Sequence, residues 1–135
     1  MCGRFTLRTP PKEVAENFGL FREPQILPRY NIAPTQNVLA IRFDENATPR
    51  EPVLLRWGLV PSWADDVKIG NRMINARADG VATKPSFRAA FKRRRCLIVA
   101  DGFYEWKNLD AKQKQPYHIT MQDGRPFAFA GLWER

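Results

Sequence analysis

Histidine is almost missing from this chain: His118 stands alone, and cysteine occurs only twice, at Cys2 and Cys96. No group of these residues has metal-ligand spacing, which argues against a structural zinc site, and two distant cysteines build no disulfide framework. No apolar run approaches the roughly 20 residues of a membrane-spanning helix. Met1-Cys2-Gly3-Arg4 opens no secretory signal, and repeats and low-complexity linkers are also lacking. Acidic residues are outnumbered, 14 against 22 basic, which leaves a net charge of +8 and a pI near 10.0. The 44% apolar and 27% charged content exclude a disordered or collagen-like chain. At 135 residues the expectation is one soluble domain with its own core. The basic balance suits a polyanion, nucleic acid first, with a merely solvated basic surface as the alternative.

Periodicity and turn residues predict an α+β chain dominated by antiparallel strands. Thr9-Pro10-Pro11 starts a helix that places Val14 and Phe18 on one face and ends at Gly19. A second helix is predicted from Thr83 to Arg95, with Phe87 and Phe91 inward and Arg88, Lys92 and Arg95 on another face. Strands are predicted over 2–7, 38–43, 53–59, 96–100, 102–106, 117–121 and 127–132. Asp123-Gly124 reads as a hairpin turn between the last two, and 107–115 as another hairpin loop. The stretch from Leu59 to Arg77 has little periodicity and many special residues, the mark of a long functional loop. Cys96 opens the apolar run Cys96-Leu97-Ile98-Val99-Ala100 and reads as a small core residue.

Cys2, unlike Cys96, opens no apolar run and lies one residue from the terminus. Once the initiator methionine is removed, it presents a free α-amine (pKa about 7.7–8.0) beside a thiol (about 8.5). Such a 1,2-aminothiol condenses with an aldehyde to an imine, and the sulfur then closes a five-membered thiazolidine. It can also act as a terminal nucleophile in hydrolysis, with the amine as base.

Five motifs follow in order: Met1-Cys2-Gly3-Arg4-Phe5, Tyr30-Asn31-Ile32-Ala33-Pro34-Thr35, Arg56-Trp57-Gly58-Leu59-Val60-Pro61-Ser62-Trp63, Ile74-Asn75-Ala76-Arg77-Ala78, and the run from Arg95 to Trp106 that ends Gly102-Phe103-Tyr104-Glu105-Trp106. Together they resemble the SRAP family, the SOS-response-associated peptidases or abasic-site processing proteins, over essentially the whole chain. The resemblance implies a mostly β, barrel-like fold with a few flanking helices. It implies a sensor of abasic sites in single-stranded DNA, which crosslinks to the ring-opened sugar through the terminal cysteine as a thiazolidine and so shields the lesion. No metal or organic cofactor and no membrane are implied, and the expected place is the bacterial cytoplasm, at the nucleoid when on DNA. By the same resemblance Cys2 is the nucleophile, Asn75 holds the Cys2 terminus near the sugar, and Glu105 moves protons. Arg4 and Arg77 grip flanking phosphates, while Trp63 and Trp106 offer faces to neighbouring bases.

Read on their own, these residues agree. Glu105 lies between Tyr104 and Trp106, where desolvation raises a carboxyl toward a useful acid/base range, unless it is a solvent-facing edge residue. Asn75 suits either the site or a turn cap. Arg56, Trp57, Trp63, Lys68, Arg72 and Arg77 interleave charge with aromatics, as single-stranded nucleic-acid binders do. Trp57 follows an apolar strand and reads better as core, Trp63 in its loop reads better as a stacking residue, and Lys92–Arg95 reads equally as a solvated helix face. The family pattern implies a later stretch, a histidine followed by Asp/Arg-Arg-Met-Pro, beyond the point where this sequence stops. His118, inside Tyr117-His118-Ile119-Thr120, reads instead as an ordinary strand residue. The expectation is a fragment or short form whose missing strands leave a sheet edge exposed. Two rival functions are a non-catalytic binder of single-stranded DNA and a thiol (auto)peptidase.

Overall fold

Pro11 opens helix α1 (Pro11–Phe18), where a proline costs no hydrogen bond, and Gly19 ends it with a left-handed φ of 62°. The computed structural model describes residues 1–44 and 47–135. Its strands are β1 (Phe5–Leu7), β2 (Arg29–Ile32), β3 (Asn37–Asp44), β4 (Ala47–Arg56), β5 (Arg95–Ala100), β6 (Gly102–Asn108), β7 (Lys114–Ile119) and β8 (Phe127–Leu132), with helix α2 (Arg88–Arg93) before β5. Among the described residues the strands form two four-stranded antiparallel sheets, ordered β2-β1-β6-β7 and β4-β3-β5-β8. The α+β, mostly antiparallel class expected from the sequence is therefore what forms. The sheets do not close into a barrel, because no described strand pairs across from one to the other.

The core lies between the sheets. Phe5 and Leu7 from β1 meet Val38, Leu39 and Ile41 from β3 and Val99 from β5, with Val14 of α1 in the same cluster. Aromatic edges tie the layers: Phe5 lies 5.9 Å from Phe129, and Phe103 lies 5.9 Å from Phe129 and 6.3 Å from Phe127.

The chain changes sheets at Asp101, the single residue between β5 and β6. Its buried carboxylate accepts from the Thr6 hydroxyl at 2.7 Å, from the Arg8 N–H, and from the Thr9 N–H and hydroxyl at 2.8 and 2.9 Å. Burial alone would push this carboxyl up, but the hydrogen bonds outweigh it and hold the carboxyl below its ordinary range. Gly102 follows without a side chain because a Cβ there would fall 2.2 Å from His118 Nε2 and 2.9 Å from Thr6 Oγ1. That corner aims β6 back through the first sheet.

Several expectations are corrected. Asp123-Gly124 does make a turn, with Gly124 at φ 73°, but it joins strands of different sheets; β7 pairs with β6 and β8 with β5, so there is no hairpin. The helix expected from Thr83 to Arg95 is confined to Arg88–Arg93, since Pro85 disfavours helical geometry at Lys84 and the segment before α2 is a series of turns. Phe87 is buried as expected, but Phe91 is 39% exposed. Strand β2 was not expected, because only Ile32 among its four residues is buried and no alternation marks it. The 107–115 connection is the expected β6–β7 hairpin, with Asn108 opposite Lys114.

Candidate functional site

Three separate segments meet at the N-terminus. Cys2 lies three residues ahead of β1, and β6, the hydrogen-bonded neighbour of β1, carries Glu105. The third segment is the long loop, which folds through a 3₁₀ helix (Val67–Arg72) before delivering Asn75. Its placement has a clear local cause. Gly58 (φ 125°) and Gly70 bring two backbones so close that a Cβ on Gly58 would sit 2.5 Å from the Gly70 carbonyl oxygen. The Trp57 indole N–H donates to the Ile74 carbonyl at 2.8 Å, and Leu59 N–H donates to Met73 O at 3.1 Å. Asn75 is thus fixed, and its Nδ2 donates to the Cys2 carbonyl at 2.7 Å.

Cys2 is half-buried. Burial pushes its thiol up from the ordinary value, and Sγ–H lies 3.5 Å from the Arg4 carbonyl as donor. The Met1 ammonium stands 3.9 Å from Glu105 Oε1. The Glu105 side chain is 45% exposed, so its apolar neighbours in sequence do not bury it: it lies in the middle of β6, on the Phe103 face but open to water. Asn75 does not cap a turn; its amide is spent on Cys2.

The expected DNA-contacting residues are less gathered. Arg4 is exposed and donates to Asn31 Oδ1 at 3.2 Å, which steadies it beside the site. Arg77 pairs with Asp79 at 3.2 Å, both side chains being largely in solvent. Trp63 caps the exposed turn that begins at Pro61, with 59% of its surface free. Trp106 points to the side of β6 away from Glu105, stacked loosely on Tyr104 at 6.2 Å, so it does not share the face of the acid. His118 lies on that outer side too, 4.9 Å from the Tyr104 ring, 3.0 Å from Thr6 Oγ1, and outside the Cys2 cluster. Trp57, read from sequence as core, packs on Phe5 at 5.3 Å and also orients the Asn75 loop. Its place between the Leu54-Leu55 strand and Gly58 was the available signal.

The match of residues 1–135 to the family model described as SOS response associated peptidase (SRAP) decides the identity. The chain belongs to the SRAP family. An abasic site processing protein of Bacillus subtilis (strain 168), YoaM, is 47% identical over 138 residues, covering 100% of this chain and 60% of its own length. YoqW of Bacillus phage SPbeta, also named an abasic site processing protein, is 48% identical and is covered over 61%. The crystal structure of a phage-related protein from Bordetella bronchiseptica superposes with a TM-score of 0.77 at 32% identity, over 97% of this chain and 60% of that one. The chain therefore spans about three-fifths of the length of the curated SRAP relatives it matches.

Proposed function

We propose that this chain captures abasic sites in single-stranded DNA through a thiazolidine at Cys2, formed after Met1 is removed. The observation that carries the reading is the Asn75 Nδ2 hydrogen bond to the Cys2 carbonyl at 2.7 Å, with Glu105 beside the terminal amine. The names of the relatives support the substrate. Residues 1–135 act here as one functional unit, in the cytoplasm and at the nucleoid when on DNA.

Hydrolysis of the Met1–Cys2 bond releases methionine and leaves the amine on Cys2. That amine attacks the aldehyde carbon of the ring-opened sugar, and the aldehyde oxygen departs as water to leave an imine. Sγ then bonds to the imine carbon, and the thiol proton ends on the ring nitrogen. The step needs no metal or organic cofactor. Asn75 anchors the Cys2 backbone so that amine and thiol face one carbon, which is catalysis by positioning. Glu105 takes a proton from the amine and returns it to the departing oxygen. The same carboxylate, next to the Met1 amine, favours self-removal of Met1, the autopeptidase component of the reading. Arg4 and Arg77 hold phosphates either side of the lesion, Arg77 on leaving Asp79; Trp63 and, from the outer face, Trp106 receive bases.

Intact-mass spectrometry tests this after mixing the chain with a single-stranded oligonucleotide that holds one abasic site. The expected product survives denaturation and weighs the Met1-free chain plus the oligonucleotide less one water. Cys2→Ala gives none, while Asn75→Ala and Glu105→Gln give it more slowly. A folded, Met1-free chain that forms no adduct overturns the reading and leaves a non-covalent DNA binder. Turnover of added peptides instead of an adduct makes it a thiol peptidase.

A further inference from the structure

Trp106 is next to Glu105 in sequence, yet it lies on the opposite face of β6. The aromatic residue beside Glu105 in space comes from the neighbouring strand. In the β6–β7 register Glu105 stands opposite Tyr117, and Phe103 stands opposite Ile119. Directly opposed residues of an antiparallel pair point to the same side, with Cβ atoms about 4.5–5.5 Å apart. Tyr117 therefore shares the side on which Glu105 meets the Met1 amine at 3.9 Å. Its ring is open, with 51% of the residue exposed and Ile119 beside it 42% exposed. Other rings of β6 are already engaged, Tyr104 with Trp106 and His118, Phe103 with Phe127 and Phe129.

We propose that Tyr117 is the platform on which the base next to the abasic sugar stacks, so that capture depends on what flanks the lesion. The inference takes abasic single-stranded DNA as substrate from the proposed function and adds the residue that holds the neighbouring nucleotide. An exposed phenol ring presents an apolar face, and such rings accept any base of a single strand because every base has a π-face. The base beside the lesion is the one favoured to occupy it. Loss of one base leaves its neighbour without a stacking partner on that side, so moving that neighbour onto the protein costs least at the lesion. The link to the chemistry is positional. Glu105 and Tyr117 are adjacent across the sheet, so a base held on Tyr117 keeps the adjoining sugar beside Glu105 and the terminal amine.

The test measures the oligonucleotide concentration that gives half-maximal adduct for wild type, Tyr117→Ala and Tyr117→Phe, with folding checked by circular dichroism. Two single strands each hold one abasic site, flanked on both sides by adenines or by tetrahydrofuran residues, which carry neither base nor aldehyde. With adenine flanks Tyr117→Ala is expected to need at least about fivefold more DNA, the lower end of what one stacked base contributes, while Tyr117→Phe keeps the ring and matches wild type. With tetrahydrofuran flanks the three proteins should agree, because no base is left to stack. Wild-type behaviour of Tyr117→Ala on adenine flanks overturns the proposal. So does an equal loss on both strands, which makes Tyr117 a structural residue of β7. A second readout needs no crosslink. A fluorescent adenine analogue is placed on one side or the other of a tetrahydrofuran lesion, and its emission in the complex should be lower with wild type than with Tyr117→Ala for one of the two placements. That difference without any adduct overturns the thiazolidine reading and keeps the platform. An adduct with no difference at either placement overturns the platform and keeps the thiazolidine, and the absence of both overturns both.

Discussion

Cys2 and Cys96 are chemically the same side chain placed in different surroundings. Burial pushes the Cys96 thiol up to about 11, with only 5% of the residue exposed, while Cys2 is raised less and keeps a path to solvent. Iodoacetamide at pH 7.5 is expected to label one site per chain, mapped to Cys2; rapid labelling of Cys96 contradicts the placement. Below its pKa a thiolate grows about tenfold per pH unit, so ring closure at the proposed site slows as pH falls below about 7. An adduct-formation rate flat from about pH 5 to 8 contradicts that proton accounting. Cys2, Asn75 and Glu105 were legible because their motifs carried them, and the structure does bring the three together. The environment of Glu105 was not legible: its apolar neighbours Tyr104 and Trp106 fall on the other face of the strand and say little about the exposure of the residue between them. Nor was the second role of Trp57, since a packing residue and a donor look alike in sequence. Trp57→Phe keeps the contact with Phe5 and loses the bond to Ile74, worth about 1 kcal/mol, so adduct formation should slow several-fold with little loss of thermal stability. An unchanged rate removes the indole from the positioning of Asn75.

At the level of elements, β3, β5 and β8 were legible from apolar runs, and α1 from its proline and glycine ends. Strand partners were not, because a turn such as Asp123-Gly124 fixes local geometry and not which sheet the next strand joins. That choice is made at Asp101, where four donors converge on one buried carboxylate. Asp101→Asn leaves the buried donors poorly matched and should cost about 2–3 kcal/mol at pH 7, read as a lower denaturant midpoint. The folded carboxyl is held below its unfolded value of about 3.9, so its stabilisation is present above that value and fades as pH drops through the folded pKa. The gap between wild type and Asp101→Asn is therefore expected to narrow below about pH 4; a gap constant from pH 7 to 2 contradicts the linkage. Gly58→Ala tests the long loop in the same way. Its Cβ would meet the Gly70 carbonyl at 2.5 Å and its φ is 125°, so a loss of about 2 kcal/mol or more is expected, together with a misplaced Asn75.

For the whole molecule, the proposed function makes charge and covalent chemistry separable contributions to DNA capture. On that proposal the +8 balance, long-range and sequence-independent, governs how DNA arrives, while Cys2 governs whether it stays. If Arg4, Lys68, Arg72 and Arg77 each neutralise one phosphate, the single-strand slope of roughly −0.7 per contact gives about a fifty-fold loss of affinity between about 50 and 200 mM salt. Cys2→Ala, measured on an intact single strand, is the protein for this, because it retains the basic surface and cannot close a thiazolidine. In the wild type the oligonucleotide concentration needed for half-maximal adduct should rise with salt by a similar factor, while the yield at saturating DNA stays the same and adduct already formed withstands high salt. Affinity of Cys2→Ala that does not change with salt would mean that the basic residues take no part in holding the strand. A saturating yield that falls with salt would mean that charge acts within the crosslinking step as well as before it.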